Sequence, residues 1–201
     1  MTTPPVDKTA LRRQLRDLRR ACAAATRAGA ASILAHAVPG LLHDCAIAPP
    51  AIVAAYYPLG DEIDPLPLLA HLRALGYRTA LPVTQGRDDE LVFLPFDAGT
   101  PLLRSDFGVM EPAEGANVSP DVVLVPLLGF DGDCHRLGYG AGHYDRTLAR
   151  MRAHKDVFVA GLAFDLQRVD GLPVEDHDQP LDCVVSEKGI YWPHTKAELK
   201  G

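Results

Sequence analysis

The sequence predicts an α/β fold: a three-layer α/β/α sandwich with a mostly parallel central sheet and an N-terminal helical segment. Two patterns predict it. Stretches with helical periodicity alternate with short apolar runs through most of the 201 residues, as in sheets covered by helices on both faces. Those runs, Val122-Val123-Leu124-Val125 being the plainest, are continuous rather than alternating, the mark of strands buried on both sides. The length suits one sizeable core, so a single domain over 1–201 is expected.

Helix formers run almost unbroken over 7–27, with Leu11, Leu15 and Leu18 at i, i+4 and i+7 as an apolar stripe. A second helix is expected over about 28–43, stopped ahead of Pro49-Pro50. Residues 51–57 form an apolar strand ended by Pro58, and Gly60-Asp61-Glu62-Ile63 reads as loop. Asp64 is placed to cap a helix through about Leu75, which Gly76 closes. Residues 77–83 and 90–96 are short strands, paired as a hairpin across 84–89, and the Pro- and Gly-rich 97–120 reads as irregular. Then come a strand at 122–128, a glycine loop, a helix through Thr147-Leu148-Ala149-Arg150-Met151, and strands at 157–164 and 183–186. Ligands of open sheets gather beyond the carboxyl ends of strands, which brings together the loops 58–62, 129–145 and 165–178.

Hydrophobic residues make up 47% and charged residues 23%, the balance of a soluble globular chain, and no apolar run approaches the ~20 residues of a membrane span. Met1 to Asp7 lack the apolar stretch of a secretory signal. Cys22, Cys45, Cys134 and Cys183 stand far apart without a C-x-x-C, which suggests neither a zinc knuckle nor a disulfide framework and points to a reducing, cytoplasmic setting. Cys134 beside His135 reads as incidental. The net charge of −6 argues against general nucleic-acid binding. Seven basic residues against one acid between Lys8 and Arg27 make that end either a solvated helix face or an attractor for an anion.

The most informative stretch is Arg136-Leu137-Gly138-Tyr139-Gly140-Ala141-Gly142-His143-Tyr144-Asp145, between a buried strand and a helix. Alternate glycines there let backbone N–H groups approach a ligand, and the helix N-terminus favours phosphate. Arg136 can fork onto phosphate oxygens and Asp145 can hold a divalent cation. The G-x-G-x-G spacing is not the dinucleotide fingerprint, and no Gly-Lys-Ser/Thr of the common NTPases occurs. Two further carboxylates, Glu62 and Asp178, fall on the same set of loops. Glu62 follows Tyr56-Tyr57-Pro58, where a carboxylate can accept from the edge of a flat heterocycle while an aromatic ring stacks on it.

Lys8-Thr9-Ala10-Leu11-Arg12, Asp61-Glu62-Ile63-Asp64, Pro126-Leu127-Leu128-Gly129-Phe130-Asp131 with Arg136 through Tyr144-Asp145-Arg146, and Gly161-Leu162-Ala163-Phe164 with Gln167, His177 and Asp178 follow one another along the chain. In that order they resemble four blocks of the 5-formyltetrahydrofolate cyclo-ligase (methenyltetrahydrofolate synthetase) family: K-x-x-L-R, an acidic strand-end motif, the P-x-x-x-F-D…R-L-G-x-G-x-G-x-Y-D signature and a closing block. The resemblance implies an α/β/α sandwich that closes 5-formyltetrahydrofolate to 5,10-methenyltetrahydrofolate with ATP and Mg2+, releasing ADP and phosphate through a phosphorylated formyl oxygen. Carried over by position, Lys8, Arg12, Arg136, Leu137, Gly138, Tyr139, Gly140, Ala141, Gly142, His143 and Tyr144 would bind ATP. Tyr57, Glu62, Tyr139, Gly140, Ala141, Gly142 and His143 would face the folate, and Asp145 and Asp178 would hold the metal. Ala141 stands where many relatives have Lys or Gly, and His143 where the first of two tyrosines is usual. The expected partner is 5-formyltetrahydrofolate, with or without a polyglutamate tail, with no nucleic acid and no membrane, and the expected state is monomeric.

Two other readings stand beside this one. A non-catalytic nucleotide- or RNA-binding module on the same fold would use the basic face of 8–27, but has no need for Glu62, Asp145 and Asp178 together. A sugar-phosphate isomerase or acyl-CoA transferase rests on fold analogy and leaves Lys8 and Arg12 unexplained.

Overall fold

The computed structural model describes residues 7–22 and 24–194. Helix α1 (Lys8–Arg20) begins at Asp7, whose carboxylate accepts from the Thr9 N–H at 2.8 Å. Helix α2 (Ala24–Asp44) follows, then β1 (Ile52–Ala54), α3 (Leu66–Ala74), β2 (Arg78–Thr84) and β3 (Leu91–Pro95). Two short ribbons are β4 (Leu102–Arg104) with β5 (Met110–Pro112), and β7 (Gly129–Phe130) with β8 (Arg136–Leu137), separated in sequence by β6 (Val122–Pro126). Helix α4 (His143–Arg152), β9 (Phe158–Leu162), a 3-10 turn at Asp165–Gln167, β10 (Cys183–Ser186) and β11 (Gly189–Tyr191) complete the order.

The central sheet has seven strands in the order β11-β10-β9-β6-β1-β2-β3. Strands β10, β9, β6, β1 and β2 run parallel, and β11 and β3 add antiparallel edges. Alternation along each strand divides the core. Val122, Leu124, Ala160, Leu162, Cys183 and Val185 face Leu34, Val38 and Leu42 of α2 and Leu68, Leu69 and Leu72 of α3. Val123, Val125, Val159 and Val184 face Leu148 of α4. This is the expected sandwich, and the hairpin across 84–89 forms with Thr84 opposite Leu91. Asp64 accepts from the Leu66 N–H at 2.9 Å at the start of α3. No helix among the described residues is long and apolar enough to cross a membrane.

Three expectations need correction. The helix expected over 7–27 ends at Arg20, where the chain turns through Cys22 before α2. The sequence holds no breaker there; the turn is set by packing, because α2 lies along the face of the sheet while α1 crosses its carboxyl end against Leu128 and Leu137. Of the expected stripe, Leu15 is buried but Leu18 is 43% exposed, and Arg19 takes the inward position. The 97–120 stretch contains the β4–β5 ribbon, whose three-residue strands are too short to carry a period.

Candidate active site

Strand β1 leads to β2 on one side, whereas β6 lies on its other side and leads on to β9 and β10. The order reverses between β1 and β6, so the loops leaving their carboxyl ends part and open a crevice. A cavity of about 540 Å3 lies there, lined by Tyr57 and Glu62 from the β1 loop, Arg136 to Asp145, Glu175, His177 and Asp178, and Lys8 and Arg12 from α1. The three loops expected to meet do so, and each residue assigned from the sequence lines this one cavity. A larger hollow of about 730 Å3 at Pro95, Asp97 and Glu114 lies open on the surface, and Asp97 there is already engaged with the Gly99 N–H and Thr100.

The glycine loop forms one wall. Leu137 is buried against Leu15 and Leu128, which anchors the loop's start. Arg12 Nε donates to the Gly138 carbonyl at 3.0 Å, and a Cβ at residue 140 would stand 3.3 Å from the Arg12 guanidinium carbon. With φ at +102°, position 140 needs glycine for both reasons. Gly142, at φ +70°, precedes α4 with no side chain capping the helix start, leaving first-turn N–H groups and the positive helix end for an anion. Arg146 donates to the Ala141 carbonyl at 2.9 Å, and His143 Nδ1 pairs with the Asp89 carbonyl at 3.0 Å.

Arg136 lies deeper than a simple phosphate fork. Its side chain is 5% exposed, pairs with Asp145, and donates to the Gln179 carbonyl at 3.0 Å. Asp145 Oδ1 accepts from Arg136 and from the Gln179 N–H. Burial draws the Arg136 pKa down, while Asp145 opposes that shift.

At one end of the cavity, Lys8 Nζ lies 3.2 Å from both Glu175 and Asp178. Burial works against ionised Asp178, but the Glu175 N–H and Lys8 hold its carboxyl below the usual range. Ligand atoms of Glu175, His177 and Asp178 lie within 4.8 Å of one another. At the other end Glu62, 8% exposed, accepts from the Leu59 N–H at 2.8 Å and the Tyr139 hydroxyl at 2.7 Å. Burial raises its pKa against the opposing effect of those donors and Arg19. Burial likewise raises the phenols of Tyr139 and Tyr144.

Sequence reasoning missed two groups here. Arg19 is 2% exposed and donates to Asp61 and Tyr139. Its signal was spacing, since Lys8, Arg12, Leu15 and Arg19 recur at i, i+4, i+7 and i+11 on one helix side. Glu111, 4% exposed, lines the same cavity and accepts from the Thr84 hydroxyl at 2.8 Å; it lay in the stretch read as irregular. Cys134 and His135 are indeed directed apart, to the Tyr191 carbonyl and to Asp131.

The sequence model of the 5-formyltetrahydrofolate cyclo-ligase family matches residues 5–187. A 5-formyltetrahydrofolate cyclo-ligase of Mycolicibacterium smegmatis is 35% identical over 194 residues, covering 92% of this chain and 95% of that one. Its counterpart in Escherichia coli (strain K12) is 36% identical over 145 residues, covering 69% of this chain and 79% of that one. The solution structure of Aquifex aeolicus 5,10-methenyltetrahydrofolate synthetase superposes with a TM-score of 0.73 at 27% identity, covering 92% of each chain.

Proposed function

The chain belongs to the 5-formyltetrahydrofolate cyclo-ligase family, and from that premise we propose that it closes 5-formyltetrahydrofolate to 5,10-methenyltetrahydrofolate in this cleft, using ATP and Mg2+. One observation carries the assignment of ends: a single cavity joins a buried carboxylate flanked by tyrosines to a glycine loop at an open helix N-terminus. Glu62 would accept from the N–H edge of the pterin, with Tyr57 and the 139–143 loop against its ring. Lys8, Arg12 and the 137–144 segment would hold the triphosphate, with Arg136 behind them.

A formamide oxygen is a poor leaving group, so ring closure stalls unless it is activated. In the proposed sequence the γ-phosphoryl group passes from ATP to the formyl oxygen and ADP departs. The neighbouring folate amine then attacks the formyl carbon, the C–O bond breaks to release phosphate, and the amine loses its proton. Phosphoryl transfer asks for positioning and charge neutralisation, which cations and backbone N–H groups provide without a protein nucleophile. Arg136 contributes from behind, by holding Asp145 and the residue-179 backbone in place. Asp145 and Asp178 offer the hard carboxylate oxygens that Mg2+ takes, and the ion bound there would neutralise triphosphate charge. An RNA-binding module would use the basic face of α1 from outside, whereas Lys8 and Arg12 line the cleft and Arg19 is buried against Tyr139, leaving Arg13 and Arg20 exposed.

The purified protein should form the methenyl product, followed by its absorbance, only when ATP and a divalent metal are both present. Equal turnover without nucleotide would refute the phosphorylated intermediate, and no turnover under any condition would refute the activity.

A further inference from the structure

Behind the Glu62 end of the cleft lies a charge cluster that the proposed chemistry leaves unexplained. Arg19 Nη2 donates to Asp61 at 3.1 Å and to the Tyr139 hydroxyl at 2.6 Å, while Nη1 reaches the Leu127 carbonyl at 3.4 Å and lies 4.0 Å from Glu62. A phenol has one proton to give. Tyr139 gives it to Glu62 Oε1, and the other oxygen of Glu62 accepts from Leu59. A protein hydroxyl thus occupies an acceptor that a pterin N–H would need. Tyr139 is 39% exposed, so its side chain can turn away from Glu62 while Arg12 keeps its hold on the Gly138 carbonyl.

We infer that Arg19 is a positioning residue of the folate subsite: it holds the Tyr139 hydroxyl on Glu62 while the subsite is empty, and stays as the counter-charge of Glu62 once the pterin edge has displaced that hydroxyl. The inference rests on the cyclo-ligase reading. Its electrostatic half follows from what faces Glu62: Arg19 from α1, Asp61 from the same loop, and the neutral phenols of Tyr56, Tyr139 and Tyr144. Without Arg19, Glu62 would lose the cation beside it while keeping Asp61, on which Arg20 still acts, as a neighbour, and it would take up a proton at higher pH. A fork that spans Asp61, Tyr139 and the Leu127 carbonyl suits arginine, whereas the charge alone suits either basic residue.

Calorimetric titration with 5-formyltetrahydrofolate, in the presence of Mg2+ and a non-hydrolysable ATP analogue, tests both halves. Tyr139→Phe keeps the ring but removes the competing donor, so folate should bind about two- to tenfold more tightly. Arg19→Gln should move the acid-side loss of folate affinity up by about one pH unit, and Arg19→Lys should return it to the wild-type position. A mere packing role for Arg19 would lower the unfolding midpoint without moving that limb. Unchanged or weaker binding by Tyr139→Phe overturns the inference, as does an unmoved acid limb in Arg19→Gln. Should Arg19→Gln fail to fold, Tyr139→Phe decides alone. Wild-type protein that binds no folate would remove the cyclo-ligase reading and this inference with it, whereas variant failures beside a binding wild type count against the inference only.

Discussion

Glu62 already has both oxygens engaged within the chain, so a ligand that meets it exchanges hydrogen bonds rather than adding them. Glu62→Gln keeps the size but replaces an acceptor by a donor. Folate affinity should fall by about 1–3 kcal/mol while Mg-ATP affinity stays nearly unchanged; calorimetry with each ligand separates the two. An equal loss for ATP would place Glu62 at the phosphate end. At this scale the sequence exposed the residues whose neighbours are local: Glu62 after its tyrosines, Gly140 and Gly142 in their loop. Arg19 escaped because a basic helix face reads as solvated, and nothing nearby in sequence reveals Asp61, 42 positions on, or Tyr139, 120 positions on. The position of Arg136 on the cleft was legible but its setting was not, since the pairing with Asp145 and Gln179 exists only once the loops meet.

Helix α1 is bound to the rest of the molecule through a small apolar contact, Leu15 on Leu128 and Leu137, yet it carries Lys8 and Arg12 into the cleft and Arg19 onto Asp61 and Tyr139 beside it. Gly129 makes that contact possible, because a Cβ there would stand 2.6 Å from a Leu15 methyl. Leu15→Ala should cost about 2–4 kcal/mol of docking. Amide exchange should quicken across α1 while β6 and β9 stay protected, and KM for both substrates should rise together. Unaltered exchange in α1 would mean that its polar contacts suffice. The parallel strands were legible as elements because continuous apolar runs have one good explanation in a covered sheet. The β4–β5 ribbon was not, since Arg104 and Glu111 sit in strands of three residues.

Across the whole molecule, acid should weaken the fold through its ion pairs. Burial opposes ionised Asp61, Asp121 and Asp178, yet Arg19, Lys155 and Lys8 respectively help hold their carboxyls low. Groups that bind fewer protons when folded lend stability above the unfolded carboxylate range and lose it as pH falls through their folded values. Glu62, raised by burial, acts in the opposite sense, its penalty relieved as it is protonated. With Asp97 also held low by the Gly99 N–H and Thr100, four lowered carboxylates stand against one raised, so the urea midpoint should hold near neutral pH and drop below about pH 4, and Asp178→Asn should flatten that drop. A midpoint constant down to about pH 3 would mean these pairs contribute nothing. The layers were legible from the alternation of elements, whereas the strand order, and hence the crevice between β1 and β6, depends on long-range pairing that no local pattern encodes. That same reach governs when the cleft can exist. Lys8 and Asp178 are 170 positions apart, so during N-to-C synthesis α1 leaves the ribosome long before its partners are made. A nascent chain can pair its early strands while the ligand site lacks a wall, and competence to bind arrives only when translation has passed the last loop.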